Sequence, residues 1–201
     1  MTATLWLLRH AVHGRVHDVL CGRMSGVHLN DAGRAQAADL AARLHGRQIQ
    51  ALYSSPRERA RETASIIAER LRLSADVEPA LDEIDYGDWT GQKFDELAHD
   101  PRWGRWNAAR EAERPPGGES LAQVRARLDV WMGRLARRHP GQHVAAVSHA
   151  ETIKAAVALA LGLSGDAHER LDLPPGSICV ISVGDWGRRV LCVNGAFACP
   201  I

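Results

Sequence analysis

The stretch Leu5-Trp6-Leu7-Leu8-Arg9-His10 decides how this chain is read. Four consecutive apolar residues read as a short strand buried on both faces, of the kind found inside a parallel sheet. The run ends in a guanidinium and an imidazole, so both sit at the strand's carboxyl end. In open α/β sheets that edge is where ligands bind. An imidazole placed there is a nucleophile able to carry a phosphoryl group, and a neighbouring guanidinium can hold the group's oxygens.

The same pattern recurs at Val144-Ala145-Ala146-Val147-Ser148-His149-Ala150. An apolar strand ends in a histidine, and a helix starts at once. His149 is therefore expected at a helix N-terminus, where backbone N–H groups favour an anion. Between and beyond these two strands, further strands are expected over 49–53, 177–183 and 189–194. Helices are expected over 31–45, 57–72, 119–138 and 150–161. Asn30 and Asp31 suit a helix N-cap, and Leu121, Val124, Leu128, Trp131 and Leu135 recur near the 3.6 period. Strands alternating with helices predict an α/β fold with a mostly parallel sheet covered on both faces.

The segment from about 85 to 118 breaks this rhythm with Trp89, Trp103, Trp106 and a scatter of Pro and Gly. It reads as loops and short helices inserted into a single domain spanning 1–201. The chain's 201 residues suffice for one sizeable core. A formal net charge of +1 gives no field to attract nucleic acid or a membrane surface. No stretch approaches the roughly 18 apolar residues of a membrane span. The opening carries no basic segment of a signal peptide. Cysteines at 21, 179, 192 and 199 form no Cys-x-x-Cys pair, so neither a zinc site nor a disulfide framework is expected, and a cytoplasmic location is.

Two more segments carry chemistry. Ser54-Ser55-Pro56-Arg57-Glu58-Arg59-Ala60-Arg61 follows a strand and opens a helix with arginines. A cation in the first turn opposes the helix dipole, so at least one of these arginines is expected to face an anion. Asp82, Glu83, Asp85 and Asp88 lie in an aromatic, glycine-containing loop, where a carboxyl group can be held protonated and serve as a general acid.

Taken together, these segments resemble the histidine phosphatase superfamily, the group that includes cofactor-dependent phosphoglycerate mutase. The resemblance runs through Leu8-Arg9-His10, Gly33 with Gln36-Ala37, and Ser55-Pro56 with Arg59-Ala60 and Thr63-Ala64. It continues through Leu81, Glu83, Gly87 and Gly91, then Pro116-Gly117-Gly118-Glu119-Ser120 with Arg127, and ends at Val147-Ser148-His149. It implies a phosphoglycerate mutase-like three-layer α/β/α sandwich. It also implies hydrolysis of a small phosphomonoester through phosphohistidine on His10, with Glu83 as proton donor and His149 as a further catalytic group. Arg9, Arg59, His149 and the Ala150 position would hold the phosphate. No metal and no cofactor are implied, because the arginines handle the charge. Arg15, His17, Arg23, Trp103 and Trp106 are the expected substrate-pocket residues.

The chain departs from the family where Ala11, Val12 and His13 follow the Arg-His pair. The family there has Gly, an acid and a hydroxyl residue, then an Asn after a gap. Position 150 is Ala, not the Asp that serves as proton donor in an acid phosphatase branch, which favours Glu83 as the acid. The short span from Glu83 to Glu119 points to the phosphatase branch and away from mutases, which carry a longer insertion. The alternatives are a phosphomutase primed by a phosphorylated cofactor and a phosphohistidine protein phosphatase. Others are a metal hydrolase on His10, His13 and His17, and a module that binds a phosphorylated partner without turnover. The last strand would leave an exposed edge through which a homodimer could form.

Overall fold

The computed structural model describes residues 2–16 and 18–195. In chain order they form β1 (Thr2–Arg9), α1 (Asp31–Leu44), β2 (Ile49–Ser54), α2 (Glu58–Leu71) and β3 (Ala75–Val77). There follow α3 (Phe94–Leu97), α4 (Pro101–Ala108), α5 (Leu121–Arg138), β4 (His143–Ser148), α6 (Ala150–Leu161), β5 (Ile178–Gly184) and β6 (Gly187–Cys192). The strands make one sheet in the order β3-β2-β4-β1-β5-β6. The pairs β3–β2, β2–β4 and β4–β1 are parallel, while β1–β5 and β5–β6 are antiparallel.

The uninterrupted apolar run of β1 follows from its central place. Successive side chains of a strand point to opposite faces. Leu5 and Leu7 enter one core with Leu128 and Trp131 of α5 and Ile153 and Val157 of α6. Trp6 and Leu8 enter the other with Leu40 of α1 and Ala64 and Ile67 of α2. β4 divides in the same way, Val144 and Ala146 to one side, Ala145 and Val147 to the other. Both faces are thus dry, and the three-layer α/β/α arrangement is the expected one.

β3 escaped the sequence pattern because it is three residues long, sits at the sheet edge and leaves Val77 half exposed. The reversal of β5 has a path as its cause. After α6, capped by left-handed Gly162, the chain returns along that helix through a 3-10 segment, Gly165–Arg170. It reaches the upper sheet edge at Pro174-Pro175-Gly176, so Ile178 starts beside Leu8 and β5 runs downward.

The loop after His10 is pinned from three sides. Ala11 N–H donates to Thr63 Oγ1, Val12 N–H donates to Gln36 Oε1, and Gln36 Nε2 donates to the Pro175 carbonyl. Gly33 lets α1 approach this loop, since a Cβ there would lie 2.0 Å from the Val12 carbonyl oxygen. Helix propensity alone would favour alanine by about 1 kcal/mol. The backbone clash outweighs it, so Gly33→Ala is expected to cost about 1–3 kcal/mol. Thermal unfolding should show a Tm lowered by several degrees; an unchanged or raised Tm would contradict the contact.

Candidate active site

Arg9 and His10 leave β1 at the sheet's upper edge, and His149 leaves β4 beside them. The centroids of the two imidazoles are 5.1 Å apart. Arg59 rises from the first turn of α2 and reaches both. Its Nε donates to His10 Nε2 at 3.2 Å, and its Nη2 donates to His149 Nδ1 at 3.0 Å and to the Gly22 carbonyl at 2.7 Å. Guanidinium nitrogens only donate, so both imidazole atoms they meet must hold lone pairs.

His10 Nδ1–H donates to the Ala11 carbonyl at 2.9 Å, which fixes the proton there and leaves Nε2 as the free base. Burial, and then Arg59 and Arg9, hold the His10 imidazole well below the usual histidine range. The ring is neutral, with a lone pair on Nε2. His149 carries its proton on Nε2 and donates it to Ser55 Oγ at 2.6 Å. Ser55 Oγ lies 3.5 Å from Asp82 Oδ1, and Arg57 grips Asp82 through two bonds of 2.9 Å. Both ring nitrogens of His149 are therefore engaged. In this arrangement it orients Arg59 and presents no free donor.

Of the three arginines that open α2, Arg59 is buried in the site, Arg57 braces Asp82 and Arg61 is exposed. Arg59 Nη1 and Arg9 Nε are buried with no protein partner among the described residues. Two desolvated cationic donors without acceptors are costly unless a ligand supplies the acceptors.

Glu83 is buried, 7% exposed. Its Oε1 accepts from Ile84 N–H at 3.0 Å and Thr152 N–H at 3.3 Å, so it abuts the start of α6. Burial, and then nearby Glu151, raise its carboxyl pKa. The Ile84 N–H, Arg59 and Arg9 act the other way without cancelling them.

Arg9, His10, Arg59 and Glu83 line a cavity of about 270 Å³, with His149 behind Arg59. Arg15, Trp103 and Ala150 line it too, Ala150 as the first residue of α6. Two expected pocket residues are placed elsewhere. Arg23 turns away, donating to the Glu83 carbonyl and to Glu119 Oε2, with Asp82 and Asp85 each at 3.5 Å. Carboxylates outcompeted the cavity for its charge. Trp106, 1% exposed, packs in the core against Tyr86 and Trp89 and supports the wall from behind. His17 lies outside the described residues.

Sequence reasoning passed over Arg110. Its guanidinium lies 3.7 Å over the Trp106 ring and pairs with Glu151 at 2.5 Å on the cavity wall. It sits just past α4 in the non-periodic insertion, where nothing marks a residue as inward. Ser55 and Asp82 lay within quoted motifs, and only spatial contact with His149 distinguishes them.

Three imidazoles here, those of His10, His149 and His13, resist protonation, the last with its pKa lowered to about 4. Below pH ~6.5 the unfolded chain takes up protons that these folded groups refuse. Stability should therefore be greatest above that pH and fall as pH drops toward 4. A Tm series between pH 7.5 and 4.5 reads this directly; a flat series would contradict it.

The profile of the histidine phosphatase superfamily, branch 1, matches residues 5–195, and the chain belongs to that superfamily. Its relatives include phosphoserine phosphatase 1 of Hydrogenobacter thermophilus, 33% identical over 178 residues, 86% of this chain and 84% of that protein. The adenosylcobalamin/alpha-ribazole phosphatase of Escherichia coli is 27% identical over 172 residues, 84% of this chain and 85% of that one. Among solved structures, Bacillus stearothermophilus YhfR superposes with a TM-score of 0.88 at 28% identity, covering 98% of each chain. Mycobacterial glucosyl-3-phosphoglycerate phosphatase, solved with VO3, gives 0.86 at 28% identity over 96% of this chain and 99% of that one. The chain is a phosphoric monoester hydrolase of this superfamily.

Proposed function

We propose that the chain hydrolyses a small phosphomonoester through phosphohistidine on His10, with its arginines doing the charge work of a metal. The observation that carries this reading is the lone pair of His10 Nε2 beside buried Arg59 and half-buried Arg9, each with a buried donor atom without a partner.

In the first step His10 Nε2 attacks phosphorus in line and the P–O bond to the leaving group breaks. Glu83 passes its proton to the departing oxygen, giving the alcohol. In the second, Glu83 carboxylate takes a proton from water, and the hydroxide formed attacks the phosphohistidine. The N–P bond breaks, inorganic phosphate leaves and neutral His10 is restored. Phosphoryl transfer asks mainly for positioning and for cations around the transferring oxygens. Arg9, Arg59 and the N–H groups that open α6 at Ala150 supply them, and His149 keeps Arg59 in place.

The cavity of about 270 Å³ falls below the roughly 300–1,000 Å³ of pockets that take drug-sized ligands. This favours a small leaving group over a protein side chain still attached to its chain. Arg9, Arg15, Arg59 and Arg110 outnumber Glu83 and Glu151 on its walls, which suits an anionic ester. Cys21, Cys179 and Cys192 are free thiols, in keeping with a reducing, cytoplasmic setting.

Purified protein assayed against a panel of phosphomonoesters in EDTA tests this reading. Phosphate release from one or a few small esters is the expected result. Activity that needs zinc, or isomerisation seen only after 2,3-bisphosphoglycerate is added, would overturn it.

A further inference from the structure

We propose that His13 is a third phosphate-binding imidazole of this site, donating a hydrogen bond from Nε2 to an oxygen of the phosphoryl group during transfer. The inference rests on the phosphoryl-transfer reading and adds to it a catalytic residue outside the five expected at the centre.

His13 belongs to the segment where this chain departs from its family, with His in place of a hydroxyl residue. It is 7% exposed, lines the cavity, and its ring centroid is 5.4 Å from that of His10, with planes tilted by 36°. Its Nδ1 accepts the Arg15 N–H at 3.2 Å. A neutral ring that accepts at Nδ1 carries its proton on Nε2. No described residue accepts that proton. The backbone is held by a bridge to Leu29, so the ring is fixed before a ligand arrives. Burial, with Arg59 and Arg9 nearby, holds the imidazole at a pKa of about 4. It is thus a neutral donor at physiological pH.

The donor count gives this geometry its purpose. A phosphoryl group in transfer spreads charge over three equatorial oxygens. His149 has no free N–H, because its proton goes to Ser55. Arg9 Nε and Arg59 Nη1 are buried cationic donors without a partner on this cavity wall, which Arg15 and Arg110 also line, and His13 Nε2, on the ring that lies against that of His10, adds an uncharged donor.

The test compares wild type with His13→Phe, which fills the space without a donor, and His13→Asn, which restores one. The probes are vanadate, a mimic of the transferring group, and p-nitrophenyl phosphate. A lost hydrogen bond to a charged oxygen predicts about 10–100-fold weaker vanadate binding in His13→Phe and a similar fall in kcat/KM. The thermal midpoint should stay near wild type, and His13→Asn should recover most of both losses. Vanadate binding unchanged in His13→Phe would overturn the proposal. Equal losses in both variants with a lowered Tm would also overturn it, leaving His13 a structural brace. Wild type that binds vanadate in a His13-dependent way but releases no phosphate from any ester would overturn the hydrolase reading and leave this assignment standing.

Discussion

His10→Ala is expected to abolish turnover, by on the order of 10⁴-fold or more, as removal of a nucleophile does when the other groups act only through it. Arg9, Arg59 and Glu83 cannot substitute, since two are cations without a lone pair and the third is held toward its neutral form. The fold should survive. His10 borders an existing cavity, and its one hydrogen bond into its own loop is to the adjacent Ala11 carbonyl. The Tm should stay within a few degrees of wild type while phosphate release vanishes. A variant that keeps near-normal rates would show that another group attacks.

Glu83→Gln is expected to lower kcat/KM by about 10²–10⁴-fold for esters of simple alcohols, the usual share of a general acid. The same change should scarcely affect kcat/KM for p-nitrophenyl phosphate, whose leaving group departs without a proton, although its kcat should fall with the slowed second step. Gln keeps an acceptor for Ile84 N–H and Thr152 N–H, so the loop should hold its shape. The pH profile gives a second readout. A general acid works only while protonated, and the Glu83 pKa is raised by burial and by Glu151. Wild-type kcat/KM on an alkyl ester should therefore fall with rising pH through that shifted pKa, and Glu83→Gln should lose this limb. Equal losses on both esters, or an unchanged profile, would argue against the role.

How far the sequence could be read depended on the kind of signal each element leaves. Leu5 to Leu8 and Val144 to Val147 are buried on both faces, and such strands write themselves as plain apolar runs. Their C-terminal histidines were legible because a strand end names its own edge of the sheet. Arg59 was legible as a cation where a helix dipole disfavours one. β3 left no pattern, because three edge residues need none. The direction of β5 was illegible, since it depends on the return path past α6 rather than on the strand's composition.

Within the site, chemistry shared by several residues hid the division of labour. Arg23 and Arg59 are the same residue type near the same loop. Only packing shows one spent on Glu119 and the Glu83 carbonyl and the other open to a ligand. His149 was legible as a strand-end imidazole, but its contacts with Arg59 and Ser55 were not. His13 looked like part of a metal-binding trio with His10 and His17, and it lies buried with its ring against that of His10.

The central claim is a covalent phosphate on His10, and trapping it is the most direct test. Protein mixed with excess p-nitrophenyl phosphate should be quenched in alkali within the first turnovers, digested and read by mass spectrometry, with His10→Ala alongside. The account predicts an acid-labile phosphate on the peptide that contains His10, present in wild type and absent from the variant. Phosphate on another residue, or turnover with no labelled intermediate even when the second step is slowed in Glu83→Gln, would contradict it.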